Sequence, residues 1–268
     1  MRHTDMSILV NDYKKLKNWK EIYQWKRITS RGNSEIISEW LLRDFEKIKF
    51  DKFGLRKNNF KINVHEGYCE LQTEITQFTE KRFCRALFNK YNKIEHPLLG
   101  KILDYEVPLT APKQEKTKKV NQGDFDLVSK RNGSILVFEV KKAQSNESLL
   151  KAILQIFTYV TRLADSNLIN KFLEDYIPNG KKIIPCILTF DNAASGKQIS
   201  EIGKYPKLQS LIAKINSNLE DNKIGKLEFY IVEEPNEDYT SLLNIDPNTI
   251  QKKSGKIVLE REVKIIKY

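Results

Sequence analysis

Cysteine is scarce in this chain of 268 residues: Cys69, Cys84 and Cys186 lie 15 and 102 positions apart. Those spacings make neither a paired disulfide framework nor a zinc knuckle. The simple reading is a reducing, cytoplasmic compartment. Long apolar runs are missing too. The longest, Ile183 to Leu188, has six residues and contains Pro185, well short of the ~20 that span a bilayer. With Asp5 and Asp12 breaking the N-terminal stretch, neither a membrane span nor a signal peptide is expected. Gly196-Lys197 is followed by Gln198 and has no upstream glycine at the P-loop spacing, and neither G-x-S-x-G nor H-E-x-x-H occurs. Several enzyme classes are thereby removed.

What the chain has in excess is positive charge. Forty-six Lys+Arg against thirty-five Asp+Glu leave a net +11 and a pI near 9.3, which points to a polyanionic partner, most often nucleic acid. Charge alone does not separate DNA, RNA and acidic lipid. Residues 1–65 hold fifteen Lys/Arg and eight Asp/Glu, a surplus of seven. Trp19, Trp25 and Trp40 fall there among Lys17, Lys20, Lys26, Arg27, Arg31 and Arg43. They read either as a stacking and phosphate-gripping surface or, more commonly, as core tryptophans ringed by solvated charge.

Along the chain, Asn33-Ser34 can cap a helix carrying Ile36, Ile37, Trp40, Leu41 and Ile48. A helix is expected from Thr76 to Tyr91, a strand over 102–107, and a mobile polar stretch over 108–122. In that stretch Lys113, Lys116, Lys118 and Lys119 face one acid, Glu115. Lys118 and Lys119 are candidate phosphate contacts. A helix from about Glu147 to Leu163, a strand over 182–190, a helix over 207–219 and strands over 226–232 and 256–266 complete an α/β order around a mixed sheet.

The informative stretch runs from Gly123 to Lys142. Asn132-Gly133 between two β-rich runs is the strongest short hairpin signal, because a type I′ turn needs positive φ at both central positions. Facing residues then have numbers summing to 265, so Asp126 is expected opposite Glu139 and Asp124 opposite Lys141. Phe125 and Leu127 are expected on the other face with Leu136, Phe138 and Val140. Opposed like charges repel by roughly 3 kcal/mol at an effective dielectric near 20. A divalent cation is the economical compensator, and hard carboxylate ligands suit Mg²⁺, with Mn²⁺ expected to substitute. Lys141 could orient or deprotonate an attacking water, or simply form a salt-bridged sheet surface with Asp124 and Glu139.

On the following helix, for which Ser145 or Asn146 is the expected cap, Lys151, Gln155, Tyr159 and Arg162 form a polar stripe. All four can bond a phosphate or a base, though an ordinary polar helix face is the alternative for Lys151 and Arg162. Glu80 falls on the Phe83, Cys84, Leu87, Tyr91 side of its helix and either faces the site or serves as a first-turn acid after Thr79.

At these residues the chain resembles the PD-(D/E)XK nuclease superfamily. Gly123 to Val128 looks like its G-(D/E)-x-D-(L/I)-(V/I) strand, Glu139-Val140-Lys141 like its (E/D)-x-K strand, and Gln155 with Tyr159 like the Q-x-x-x-Y element of RecB-like branches. Phe125 stands where a proline often precedes the motif aspartate. The resemblance covers residues 75–190. It implies a restriction-endonuclease-like α/β core, a mixed central sheet flanked by helices, within a domain over 73–268; residues 1–72, outside the resemblance, read as a basic N-terminal extension, helical with short strands. It also implies Asp126 and Glu139 as metal ligands with the Val140 carbonyl and Glu80, Lys141 as the catalytic lysine, and Gln155 and Tyr159 as support. Asp124 could share the metal. The expected activity is Mg²⁺-dependent hydrolysis of DNA phosphodiesters in restriction, phage defence or repair, by a chain that could act as a homodimer. The alternatives are an RNA-directed nuclease and a nucleic-acid-binding protein that keeps the fold without cutting.

Overall fold

Asn132 and Gly133 sit at φ 52° and 77°, the pair of left-handed positions that a type I′ reversal needs. The two strands they join are paired from Leu127↔Phe138 to Arg131↔Ser134, each facing pair summing to 265 as the turn predicts. A computed structural model describes residues 6–50, 55–57, 60–61, 67–70, 78–110, 123–220, 223–233, 240–251 and 254–268. Lys113, Lys116, Lys118 and Lys119 lie outside the described residues.

In chain order the elements begin with helices α1 (Met6–Tyr13), α2 (Trp19–Gln24) and α3 (Ser34–Asp44), then β1 (Tyr68–Glu70) and α4 (Glu80–Tyr91). The antiparallel strands β2 (Lys101–Pro108), β3 (Asp124–Arg131) and β4 (Ser134–Lys141) follow, then helices α5 (Leu149–Asp165) and α6 (Ile169–Tyr176). Next come β5 (Ile183–Phe190), α7 (Ala194–Ser200), α8 (Pro206–Leu219) and β6 (Glu228–Glu233). Three short strands close the chain: β7 (Leu243–Ile245), β8 (Ser254–Leu259) and β9 (Lys264–Lys267). A six-stranded mixed sheet in the order β2-β3-β4-β5-β6-β9 forms the centre, with β4, β5 and β6 parallel. A small sheet, β1-β8-β7, lies apart from it. No helix among the described residues is long and apolar enough to cross a membrane.

The central sheet is covered on both faces, which is why β4 and β5 are buried along their whole length. One face packs Val128, Ile135, Val137 and Ile187 under α5, α6 and the N-terminal helices. The other packs Leu127, Leu136, Phe138 and Val140 against Phe83, Cys84 and Leu87 of α4. Trp19, 1% exposed, sets its ring edge-on to Phe157 of α5 at 5.2 Å. Trp19 and Trp40 are thus core side chains, and residues 6–50 share one hydrophobic cluster with α5.

Four sequence expectations are corrected. The cap of α5 is Ser148, whose hydroxyl accepts from the Lys151 N–H, rather than Ser145 or Asn146. Helix α4 starts at Glu80, with Thr79 as its cap, rather than at Thr76. The strand expected over 256–266 is two, because Glu260-Arg261-Glu262 breaks it and sends its halves to different sheets. Phe125 does not share a face with Leu127. It packs against Tyr159 and Phe172, at 6.2 and 5.6 Å, on the α5 side. The reason lies in the backbone around it: the β3–β4 ladder ends at Leu127, and Glu106, between the β2 residues that face Leu127 and Phe125, sits at φ 48°, which re-aims the strand pair near Asp126.

Candidate active site at the end of the central hairpin

Past Leu127 the ladder between β3 and β4 stops, and a side chain takes over. The Val140 N–H donates to Asp126 Oδ2 at 2.7 Å. Asp126 is thereby fixed beside the last turn of β4, at the point where Glu139 and Lys141 project from it. Glu139 is 2% exposed and Lys141 4% exposed. The Lys141 ammonium bridges two acids, 2.6 Å from Glu139 Oε1 and 2.8 Å from Glu147 Oε2. Glu147 in turn pairs with Lys151 one helical turn on. Asp124 therefore does not pair with Lys141 as the turn register predicted, because the strands part before that position and Glu147 occupies the ammonium instead.

Glu80 Oε1 accepts the Lys142 N–H at 3.2 Å, which brings the first turn of α4 to the end of β4. Glu80 follows the Thr79 cap in the first turn of α4, and its charge acts on Asp126, Glu139 and Lys141.

Burial pushes the Asp126 carboxyl well above the usual range, Glu139 adds to it, and Lys141 and the Val140 N–H only partly offset it. Burial likewise pushes Glu139 up to about 7 against the pull of Lys141. For Lys141 burial works toward the neutral amine, but Glu139, Glu147, Glu80 and Asp126 outweigh it and hold the side chain as an ammonium. One oxygen of this cluster is uncommitted: Glu139 Oε2 is buried with no hydrogen-bond partner. A buried carboxylate oxygen without a donor costs about 1–3 kcal/mol or more.

An open cleft of about 380 Å³ gives access to the cluster. Asp124, Asp126 and Gly123 form part of it, Lys151, Gln155 and Tyr159 of α5 supply one wall, and Tyr23 and Gln24 from the end of α2 contribute another. Tyr159 is 4% exposed, held edge-on to Tyr23 at 5.9 Å and to Phe125. Gly123 makes that packing possible. A Cβ there would stand 2.6 Å from Tyr159 Cε1, and its φ of 101° is one that side chains with a Cβ rarely adopt. Gly123→Ala is expected to cost about 1–3 kcal/mol and to displace the Tyr159 ring. A urea-unfolding midpoint equal to wild type would contradict this.

The structure thus brings together Asp126, Glu139, Lys141, Glu80, Gln155, Tyr159 and Lys151. Val140 is buried, with its N–H committed to Asp126. Arg162 is 4% exposed and does not line the cleft, so its guanidinium is poorly placed for a phosphate backbone. Sequence reasoning missed Glu147, Tyr23, Gln24, and the Glu106 carboxylate that pairs with Lys81 and Arg85 at 2.8 and 3.1 Å. Only Glu147 carried a signal, its spacing of four from Lys151.

The donor set suits a hard divalent cation: carboxylate oxygens, one of them buried and unsatisfied. No group of three or more His, Cys, Asp or Glu able to hold a metal occurs among the described residues. Compared with known proteins, the chain matches no family model, no curated protein and no solved structure.

Proposed function

We propose that this cleft hydrolyses phosphodiester bonds of DNA, as a metal-dependent nuclease of the PD-(D/E)XK type acting in the cytoplasm. The observation that carries the proposal is the buried Glu139 carboxylate with a free oxygen, ion-paired to the buried Lys141 ammonium, on a strand whose Val140 N–H holds the Asp126 carboxylate in the wall of an open cleft. The order α4-β2-β3-β4-α5-β5 supports it, since a helix, a short mixed sheet and a second helix make the core that the resemblance implies. So does the chain's net charge of +11.

Asp126 and Glu139 are the residues that would hold Mg²⁺ or Mn²⁺, with Glu80 and the Val140 carbonyl nearest to assist. When bound, the ion supplies Lewis-acid charge that eases loss of a proton from water and offsets charge gathering on the phosphoryl group. Lys141, lacking a lone pair as an ammonium, acts as a hydrogen-bond donor: it orients the attacking water and stabilises negative charge on the phosphoryl oxygens. Glu147 positions Lys141, giving it an anchor that remains if Glu139 turns to a cation. Gln155 and Tyr159 hold the substrate strand against the α5 wall.

A second reading has its own support. The Lys141 ammonium is already satisfied by two carboxylates, as in a structural salt-bridge network, and a non-catalytic nucleic-acid-binding protein would look the same. The test is incubation of duplex DNA, single-stranded DNA and RNA with the protein in Mg²⁺, Mn²⁺ and EDTA. Cutting of DNA that needs the metal is expected. Preferential cutting of RNA would move the substrate, and binding without cutting would favour the second reading.

A further inference from the structure

A separate basic groove lies at the opposite end of the central sheet. Lys181, Lys182, Lys223 and Lys226 line it, in an open volume of about 610 Å³. Its place in the fold is fixed by backbone bonds. The Ile183 N–H donates to Lys223 O at 3.0 Å, the Gly225 N–H to Ile183 O at 2.7 Å, and the Lys181 N–H to Gly133 O at 2.9 Å. The loop after α8 is therefore laced to the start of β5, and lysines from both meet across the groove. Ile183 pairs with Ile135, six residues before Lys141 on β4, so the groove and the cleft are roughly 20 Å apart along the strand.

The acids that line it among the described residues are already engaged. Glu220 pairs with Lys226 at 3.3 Å, and Glu228 with Arg131 and Lys267 at 2.6 and 2.7 Å. Lys181, Lys182 and Lys223 have no carboxylate partner among the described residues; Lys223 bonds only the Asn170 side chain. At the same end of the sheet Lys101 and Lys130 are direct cross-strand partners, an arrangement in which like charges repel. With Lys226 neutralised by Glu220, three lysines of the groove are left without a carboxylate partner among the described residues. No aromatic ring lines the groove among the described residues, so they offer nothing on which to stack an unpaired base.

We propose that this groove is a second nucleic-acid contact, which grips the phosphate backbone of duplex DNA without reading sequence. Ammonium groups that displace condensed counterions supply affinity and no base discrimination. This surface stands whether or not the cleft cuts, because it shares no residue with it.

The test is equilibrium binding of the full chain to a labelled duplex of about 30 base pairs, in EDTA, over a range of KCl concentrations. Simultaneous Lys181→Gln, Lys182→Gln and Lys223→Gln is expected to flatten the slope of log K against log salt by about 2 to 3, and to weaken binding roughly tenfold or more near physiological salt. A charge-matched control, Lys14→Gln with Lys93→Gln and Lys197→Gln, is expected to leave the slope near wild type. The proposal is overturned if the groove variant keeps the wild-type slope, or if the control flattens it equally. It is also overturned if the groove variant loses only its binding to phosphatidylserine vesicles. Cleavage is not read in this experiment, so its outcome and that of the nuclease reading are separable.

Discussion

Lys141→Ala is expected to lower metal-dependent DNA cleavage by roughly 100- to 1,000-fold, the loss seen when one preorganised donor to developing charge is removed, while metal uptake largely survives. Asp126→Asn and Glu139→Gln are expected to abolish cleavage together with that uptake, since each removes a carboxylate from the proposed seat. The three variants thus separate into two classes, measured by single-turnover cleavage of a labelled duplex alongside metal titration. Wild-type rates in all three would remove the site from consideration. The geometry explains the division. Lys141 touches Glu139 and Glu147 through its ammonium alone, whereas Asp126 and Glu139 carry the oxygen ligands.

Glu139→Gln is also expected to make the metal-free protein more stable at alkaline pH. The sign follows from the direction of the shift. Burial raises the Glu139 carboxyl from its ordinary 4.5 to about 7, so between those values the folded chain binds more protons than the unfolded one, and stability falls as pH rises through the interval. The full interval corresponds to about 3 kcal/mol, and Asp126, raised by the same burial, works in the same direction. Other acids oppose the trend. Glu106, paired with Lys81 and Arg85, and Glu147, paired with Lys141 and Lys151, are held below the usual range despite burial, and their contribution to stability is lost as pH falls. The informative quantity is therefore the difference between wild type and Glu139→Gln, from urea unfolding in EDTA at about pH 4.5 and pH 8. The variant's advantage is expected to grow by up to about 3 kcal/mol across that range. A constant difference, or one that shrinks, would contradict the strained-carboxylate description.

The two expectations share one cause. On the proposed reading the buried acid that lowers stability is a cation ligand, and a bound cation would return the lost energy by linkage.

The hairpin was legible in the sequence because Asn132-Gly133 admits few backbone solutions, and one of them dictates every facing pair from Leu127 to Arg131. Glu139 and Lys141 were legible because charge is unexpected in strands otherwise apolar on both faces. Legibility ended where backbone irregularity began. Nothing in the identities of Phe125 and Leu127 announces that one turns to α5 and the other to α4; that goes with the end of the β3–β4 ladder at Leu127 and the left-handed Glu106 opposite. Glu147 read as the start of a helix, and only the folded chain shows its carboxylate reaching Lys141. Tyr23 and Gln24 reach the cleft because Trp19 docks on Phe157, a contact between residues 138 positions apart that no local pattern encodes. In the C-terminal part, the β-rich run after residue 254 gave no sign that its halves belong to different sheets, because period-2 alternation is the same in both.

The most direct test of the central claim is calorimetric titration of Mn²⁺ into the wild-type chain and into Glu139→Gln. Saturable uptake by wild type and its loss in the variant are expected if the uncommitted Glu139 oxygen and the Asp126 carboxylate form a cation seat. No uptake by wild type, or equal uptake by both proteins, would contradict it.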